Sequence, residues 1–334
     1  MVMRLSICIP TYNFGGFIGE TLDSLLPQVS DEVEVVVLDG GSTDDTGDVV
    51  AVRMQHHKQL TYYHQDFRGG IDADIEKVIS LAHGQYCWLF SADDIMMPGA
   101  VKKVLQAIRS HHEIYVCEHV LCSFQMKPIC EYPPLNNTCG PATFDLADSQ
   151  QKRKYFRMAR TSEAFFSFLS IPIFRKDVWD RVKIPASFYG TCWVVAGRLL
   201  ASVPDGIKVS YLSEKLLFKR GGNDSFLDRG IVNRCRIGIE AFQHIGNTIF
   251  GVDSEEAFHI RRVLRFDIPL KILLVAKLRA AQNPEVEDRA VLDRIVALHY
   301  SDPGWRNFFN RNAYKIAPVQ VLAAGSWLKR QFAR

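Results

Sequence analysis

The chain has 334 residues, of which 47% are hydrophobic and 23% charged, a composition typical of a folded protein rather than a disordered one. Its net charge of +3 is too small to indicate nucleic-acid binding, so no nucleic-acid partner is predicted. The sequence contains neither a signal-peptide pattern nor an uncharged apolar run long enough to span a bilayer, and we therefore predict a cytoplasmic protein.

The N-terminal third alternates between short apolar runs and segments with apolar residues at helical spacing. Pro10 is expected to end the first strand, and Ser42 and Thr43 are expected to cap the helix after the second. The alternation predicts an α/β fold with a mostly parallel sheet and helices on both faces. The predicted strands are residues 5–9, 33–38, 60–64 and 86–90.

The pattern changes after residue 108. The apolar segment 165–174 is predicted to return to the sheet, and residues 221–225 are predicted to form a flexible polar loop. From residue 231 onward the periodicity is helical, with a break at Asn283-Pro284. We therefore predict an α/β domain at residues 1–226 and a helical C-terminal region at residues 227–334.

Carboxylates follow two of the predicted strands, at the edge where open α/β sheets bind ligands. Asp93 and Asp94 come after the fourth strand, where a carboxylate pair suits Mg²⁺ or Mn²⁺ bridging a diphosphate. Such an ion would neutralise a leaving nucleoside diphosphate. Asp39 follows the second strand and can accept hydrogen bonds from a ribose or a base. The alternatives are a turn that caps the next helix for the pair, and an Asx turn for Asp39.

Four segments, in this order and spacing, resemble the family-2 glycosyltransferases of the GT-A fold. The resemblance is strong over residues 4–108, weaker to about residue 226, and not recognised beyond. The run Gly-Gly-Ile-Asp-Ala-Asp at 69–74 replaces an Ala-Arg-Asn motif of the family and looks similar to a subgroup that includes abequosyltransferases of O-antigen synthesis. The four segments are Ile-Pro-Thr-Tyr-Asn at 9–13, Val-Leu-Asp-Gly-Gly-Ser-Thr-Asp at 37–44, Ala-His-Gly-Gln-Tyr at 82–86, and Ser-Ala-Asp-Asp at 91–94 with Pro98-Gly99.

The resemblance implies roles for the matching positions. Asp39 would hold the base or ribose, Asp93 would bind the metal, and Asp94 would lie near the donor sugar as a catalytic residue. Pro10, Thr11 and Tyr12 would line the nucleotide base. The donor-binding set further includes Asn13, Arg68, Asp72, Asp74, Ser91 and Ala92.

Two positions depart from the family pattern. Ser91 stands where a third carboxylate is usual, and because a hydroxyl is a poorer metal ligand, we expect lower affinity for the ion. Segment 188–193, where inverting members carry an Asp base, has no carboxylate, although an inverting displacement needs a base within about 3 Å of the acceptor hydroxyl. Inversion or retention therefore stays open. The alternative acids are Glu163, Asp205 and Asp224.

Further residues are predicted to contact the donor or the sugar. Trp193 is predicted to stack on a sugar ring as a catalytic residue, with core packing as the alternative. Arg220, Asn223 and Ser225 lie on a glycine-rich loop predicted to close over the diphosphate, with a solvated loop as the alternative.

The C-terminal third is basic. Its Lys and Arg residues stand beside aliphatic and aromatic ones, which indicates either docking on an anionic membrane surface or the solvated face of a helical bundle. The residues in question are Arg261, Arg262, Arg265, Lys271, Lys277, Arg279 and the segment from Trp327 to Arg334.

Together these features predict a glycosyltransferase. It would move one hexosyl or deoxyhexosyl group from a nucleoside-diphosphate donor to a glycan or lipid-linked acceptor, with Mn²⁺ or Mg²⁺, in bacterial surface polysaccharide synthesis. It would work in the cytoplasm, at the inner face of the membrane. The alternatives are a non-catalytic nucleotide-sugar-binding module and a nucleotidyltransferase. A nucleotidyltransferase would carry a basic, glycine-rich loop after the first strand, where residues 11–14 contain no Lys or Arg.

Overall fold

The computed structural model describes residues 2–136 and 140–319, apart from the side chains of Ser225 and Asp228. The chain divides into two compact units, Met1–Asn223 and Asp224–Arg334. The division falls between Asn223 and Asp224, whereas the sequence places it after residue 226. Each unit is described by itself below.

The first unit is built on one mixed sheet. Its strand order is β3-β2-β1-β4-β9-β6-β10-β5, with β7 beside β6 and β8 beside β10. The strands are β1 (Leu5–Thr11), β2 (Val33–Asp39), β3 (Leu60–His64), β4 (Tyr86–Leu89), β5 (Ile95–Met96), β6 (Ile114–Cys122), β7 (Pro128–Tyr132), β8 (Ala142–Asp145), β9 (Pro172–Arg175) and β10 (Lys208–Arg220).

Strands β3, β2, β1 and β4 run parallel, as predicted. Every residue of β1 and β2 is buried, which explains why these strands read as continuous apolar runs. The predicted end of β1 at Pro10 is wrong, because the strand continues to Thr11, opposite Asp39. Pairing with β4 stops at Cys8, so β4 requires no ladder hydrogen bond from the Pro10 nitrogen.

Helices of the first unit cover both faces of the sheet. The chain passes from β1 to β2 and from β2 to β3 in one direction, then from β3 back to β4 in the other. Because such parallel crossovers are right-handed, α3 lies on the face opposite α1 and α2. The helices are α1 (Gly15–Leu25), α2 (Thr46–Met54), α3 (Ile71–Leu81), α4 (Ala100–Ala107), α5 (Ser149–Met158), α6 (Lys176–Arg181) and α7 (Val194–Ala201).

The start of α2 differs from the prediction. The helix begins at Thr46 and not after Ser42 or Thr43. Both residues are instead held by Asn13, whose backbone N–H donates to the Ser42 hydroxyl and whose side-chain oxygen accepts from the Thr43 N–H. Asp44 accepts hydrogen bonds from the backbone of Gly15 and Thr46, which joins the starts of α1 and α2.

The second half of the sheet brings distant segments to the parallel half. Strand β9 runs antiparallel between β4 and β6, so the end of the predicted segment 165–174 returns to the sheet, at residues 172–174. Strand β10 pairs in parallel with β6 and antiparallel with β5, the strand that follows residues 91–94. The last residue of β10, Arg220, therefore reaches the turn after β4.

The described part of the second unit is helical. A buried core that includes Val232, Leu273, Leu292 and Tyr314 joins its helices. None of the helices in the described ranges is long and apolar enough to cross a membrane. The helices are α8 (Ile231–Arg236), α9 (Phe242–Phe250), α10 (Glu255–Asp267), α11 (Leu270–Gln282), α12 (Arg289–His299) and α13 (Trp305–Ile316).

Several basic residues singled out in the sequence are internal to this unit. Arg261 and Arg265 both form ion pairs with Asp302. Lys277 is buried and donates hydrogen bonds to the carbonyl oxygens of Tyr314 and Ala317. These three side chains stabilise the bundle and do not form a basic surface. Residues 327–334 lie outside the described residues.

Candidate active site

The acidic turn after β4 is held by hydrogen bonds to Asp93. The Ser91 hydroxyl donates to Asp93 Oδ1 at 2.6 Å, and the Asn223 amide donates to Asp93 Oδ2 at 2.8 Å. Asp93 is almost fully buried, so both donors satisfy a desolvated carboxylate. The structure thus brings together Ser91, Asp93 and Asn223, three of the predicted site residues.

Asp94 points to a different set of partners. Its side chain is 1% exposed and accepts hydrogen bonds from the Ser170 hydroxyl at 2.9 Å and the Arg220 backbone N–H at 3.1 Å. Burial, reinforced by the neighbouring charge of Asp93, raises the pKa of Asp94 to about 7. The carboxyl group of Asp94 therefore ties the acidic turn to the segment before β9 and to β10, and Ala92 in the same turn is buried.

Arg220 connects the acidic turn to neighbouring segments at the edge of the sheet. Its Nε donates to the Asp93 backbone carbonyl at 3.0 Å, and one terminal nitrogen donates to the Phe124 carbonyl at 2.7 Å. The other terminal nitrogen pairs with Glu20 on α1 at 2.6 Å. The guanidinium also lies 5.2 Å from the centre of the Phe17 ring. All three nitrogens are engaged, so Arg220 fixes the turn rather than moving with a free loop.

The C-terminal end of β1 forms a second cluster on the same sheet edge. The guanidinium of Arg68 lies 4.0 Å from the centre of the Tyr12 ring, a cation–π contact between the segments after β1 and β3. Thr11 and Pro10 are buried beneath them. Among the described residues, the buried hydroxyl of Thr11 has no hydrogen-bond partner. Such an orphaned group is unusual in a folded protein and suits a site that binds a polar ligand.

Asp39 ends β2 beside this cluster and is fully buried. One carboxylate oxygen accepts from the Ser42 N–H at 2.7 Å, and the other from the Tyr62 hydroxyl at 2.6 Å. Burial, followed by this hydrogen bond, raises the pKa of Tyr62 well above its usual value, which keeps the hydroxyl as a donor. Asp39 thus forms the Asx turn weighed as an alternative in the sequence, and its carboxylate lies at the sheet edge beside Thr11.

The two other predicted aspartates have separate environments. Asp72 accepts hydrogen bonds from the backbone N–H groups of Cys192 and Val194, at the start of α7. Its carboxylate thus caps another helix, and we do not carry Asp72 into the proposed donor site. Asp74 accepts from the Gln65 amide at 2.7 Å, and burial raises the pKa of Asp74. It stays in the site, since a Cβ at Gly40, next to Asp39, would lie 2.6 Å from its oxygen.

Four predicted residues are not joined to the acidic turn by the described contacts. Trp193 is half-buried at the start of α7. Asp205 is exposed after α7, and Asp224 caps the short 3-10 helix Ser225–Arg229 in the second unit. The side chain of Ser225 is not among those the structure describes. None of these observations identifies a base.

Glu163 lies in a buried charge cluster of its own. It contacts His119 at 3.0 Å and Lys219 at 3.2 Å. Burial disfavours ionisation of Glu163, but the charge of Lys219 and the contact with His119 outweigh it and lower its pKa. Because this carboxylate is ionised and already paired with two groups, it is a weak base and we assign it to the framework.

Sequence reasoning missed the partners that hold the site. Ser170, Glu20 and Tyr62 contact Asp94, Arg220 and Asp39, yet they lie just before β9, on α1 and on β3. Long-range pairing brings them to the edge, so spacing along the chain could not reveal them. Only Tyr62, which lies within a predicted strand, was close to a motif.

Comparison with known proteins identifies the chain. Residues 6–177, about half of it, match the family model described as glycosyl transferase family 2. The abequosyltransferase RfbV of Salmonella typhimurium is 27% identical over 259 residues, which cover 74% of this chain and 76% of the relative.

Two solved structures share the fold. TarS 1-349 of S. aureus in complex with UDP-GlcNAc gives a TM-score of 0.59 at 17% identity, covering 93% of this chain and 90% of that chain. The mannosyltransferase PcManGT of Pyrobaculum calidifontis, in complex with GDP-Man and Mn²⁺, gives 0.53 at 14% identity, covering 98% and 81%.

The fold and these matches define a glycosyltransferase with the GT-A fold, as the sequence motifs predict. The chain belongs to glycosyl transferase family 2. The predicted α/β class and the similarity to an abequosyltransferase are confirmed. Membership in this family also argues against the nucleotidyltransferase alternative.

Proposed function

We propose that this enzyme transfers a single hexosyl or deoxyhexosyl group from a nucleoside-diphosphate sugar to a glycan or lipid-linked acceptor in bacterial surface polysaccharide synthesis. The observation that carries the proposal is the carboxylate of Asp93, held by Ser91 and Asn223 on the same sheet edge as Tyr12 and Asp39. RfbV, which is 27% identical over 74% of this chain, is an abequosyltransferase, and this similarity supports a deoxyhexosyl donor.

The base and ribose would bind at the first cluster. Tyr12 with Arg68 would provide a flat, cationic surface for the base, and the unpaired hydroxyl of Thr11 would gain a partner. Asp39 and Asp74 would accept hydrogen bonds from the ribose or base. Asn13 would hold the Ser42-Thr43 loop in place around them.

The diphosphate would lie at the acidic turn with a divalent cation. Within the described ranges no group of three or more His, Cys, Asp or Glu side chains is arranged to hold a metal. Mg²⁺ is commonly bound by one or two carboxylates together with substrate phosphates, a requirement that Asp93 meets. We therefore propose that Mn²⁺ or Mg²⁺ binds with the diphosphate, where it would neutralise the leaving group.

The role of the chain's own residues is to position the donor. Arg220 and Asn223 would keep Asp93 oriented, and Asp94 would lie close to the sugar. Trp193 would stack on a sugar ring. The enzyme would work at the cytoplasmic side of the membrane, with the basic second unit bringing it to the lipid surface.

Thermal unfolding with CDP, UDP and GDP, each with and without Mn²⁺, tests the donor site. A ligand that binds only the folded state raises the unfolding temperature by mass action, so one diphosphate should stabilise the enzyme more strongly when Mn²⁺ is present. Asp93→Asn should abolish the Mn²⁺-dependent part of this stabilisation. Asp180→Asn, a change to an exposed carboxylate on α6, is the control and should leave it intact.

Transfer assays separate the enzyme from the binding-module alternative. Sugar nucleotides of the stabilising base should be turned over with a lipid-linked acceptor, and Asp93→Asn should be inactive. Binding of the diphosphate without hydrolysis or transfer of any sugar nucleotide would instead favour a non-catalytic module. No stabilisation by any diphosphate would refute the donor site itself.

A further inference from the structure

Helix α13 turns an apolar stripe toward solvent. Trp305 is 73% exposed, Phe308 64%, Phe309 61% and Ile316 78%. At about 100° per residue, these four side chains lie within a stripe about 100° wide. Tyr314, which is buried, lies on the opposite side of the helix. The helix is thus amphipathic, but most of its apolar side chains point away from the core of its unit.

A cleft extends this surface to α10. It has a volume of about 450 Å³, and its lining includes the rings of Phe258, Phe266 and Trp305 together with Arg262 and Arg306. Phe258 and Phe266 are themselves exposed. We call Phe258, Phe266, Trp305, Phe308, Phe309 and Ile316 the aromatic face. Contiguous exposed apolar surface of this kind marks an interaction site rather than ordinary scatter.

The charge of α13 itself has a single sign. Arg306 and Lys315 project on opposite sides of the stripe, about 100° and 80° from Trp305. Helix α13 contains three Lys or Arg and no Asp or Glu. Exposed tryptophan and phenylalanine flanked by cations is the pattern of a helix that lies in the interface of an anionic bilayer.

We propose that the aromatic face docks on an anionic phospholipid surface, with α13 lying in the plane of the interface. This docking rests on the proposed function, because a lipid-linked acceptor would be presented at that surface. The aromatic face takes the place of the basic residues considered in the sequence, because Arg261, Arg265 and Lys277 form ion pairs and hydrogen bonds inside the unit.

Flotation of the full chain with unilamellar phosphatidylglycerol vesicles at low salt tests the docking. The double variant Trp305→Ala/Phe309→Ala should lower the partition coefficient by about tenfold or more, since two rings leave the interface. Val252→Ala/Val286→Ala, which changes two exposed apolar residues of the same unit outside the aromatic face, should bind like the parent. Phosphatidylcholine vesicles should bind more weakly, because the anionic attraction is lost.

Bromine-labelled lipids report the depth of Trp305. The parent should show tryptophan quenching that Trp305→Phe loses while it keeps most of the binding. Three results would overturn the docking: no binding to phosphatidylglycerol at low salt, equal losses in both double variants, or binding unchanged by Trp305→Ala/Phe309→Ala. A lipid-free dimer that the same double variant dissociates would also overturn it, in favour of a second copy of the chain.

The same samples keep this inference separate from the donor site. Nucleoside-diphosphate stabilisation is measured without lipid on every variant, and Trp305 is not part of the proposed donor machinery. Intact stabilisation with no vesicle binding refutes only the docking. Vesicle binding that depends on the aromatic face, with no stabilisation by any diphosphate, refutes only the proposed function.

Discussion

Ser91 donates a hydrogen bond to Asp93 where family members usually carry a third carboxylate. A neutral donor at this position stabilises the charge of Asp93 before any cation arrives, whereas a third carboxylate would add to the repulsion between Asp93 and Asp94. Serine in place of a third carboxylate thus stabilises the metal-free turn and lowers its affinity for a metal ion. Asn223 also stabilises the charge of Asp93, because it donates a hydrogen bond to the other carboxylate oxygen.

Ser91→Asp should reverse this preference. Without metal, the added charge beside Asp93 and Asp94 should lower the unfolding temperature by about 2–4 °C, which corresponds to about 1 kcal/mol. With Mn²⁺, the variant should regain that loss and bind the ion more tightly than the parent. Thermal unfolding across a Mn²⁺ titration measures both effects, with Ser80→Asp on the exposed side of α3 as the control. A variant that Mn²⁺ does not stabilise beyond the parent would contradict a metal at Asp93.

At the scale of elements, local pattern predicted the parallel half of the sheet and little of the rest. Strands β1, β2 and β4 are buried on both faces and therefore appear in the sequence as consecutive apolar residues, whereas the edge strand β3 is partly exposed. Strands β6 and β10 acquire their places through pairing with segments far along the chain. The site divides in the same way: Asp39 and Asp93 follow predicted strands, whereas Ser170 and Glu20 reach Asp94 and Arg220 only through tertiary structure.

The turn after β10 depends on a close approach that only glycine permits. A Cβ on Gly221 would lie 2.4 Å from the carbonyl oxygen of Cys122, the end of β6. Gly221→Ala should therefore push the turn off β6 and separate Asn223 from Asp93. Loss of a hydrogen bond to a charged group is worth about 1.5 kcal/mol, so the donor KM should rise by about tenfold.

Steady-state kinetics with varied donor checks this prediction against Gly16→Ala. Gly16 lies in α1, where an added Cβ would meet no atom within 4 Å. That control should leave the donor KM unchanged and cost no stability, since alanine favours a helix. An unchanged KM in Gly221→Ala would show that the turn adapts, and that Asn223 does not help to bind the donor.

At the scale of the whole molecule, the two units have their own cores and their own pH responses. In the second unit His299 is fully buried, and its Nε2 lies 3.0 Å from the Ile268 carbonyl. Burial, with the nearby charge of Arg265, lowers the pKa of His299 to about 4. Below about pH 6.5, His299 therefore binds a proton in the unfolded chain but not in the folded unit. Protonation of the unfolded chain thus reduces stability as the pH falls from about 6.5 to about 4.

His299→Gln should remove that sensitivity. Glutamine can keep a hydrogen bond to the Ile268 carbonyl but cannot take up the proton, so the variant should lose less stability on acidification. The difference in the free energy of unfolding between variant and parent should change by up to about 3 kcal/mol between pH 7 and pH 4. Urea unfolding followed by circular dichroism measures it, with exposed His56→Gln as the control. Parallel pH curves for parent and variant would contradict the assignment.

The division of the chain at Asn223 has a consequence for anyone who wishes to isolate the catalytic unit. A fragment that stops there ends in a main-chain carboxylate, ionised at neutral pH, on the very residue whose amide touches Asp93. That terminus would place a new anion beside Asp93, where we propose that the diphosphate binds. A semisynthetic fragment with a C-terminal amide should bind the nucleotide more tightly than the ordinary one. Equal affinities would show that the cut end swings clear of the acidic turn.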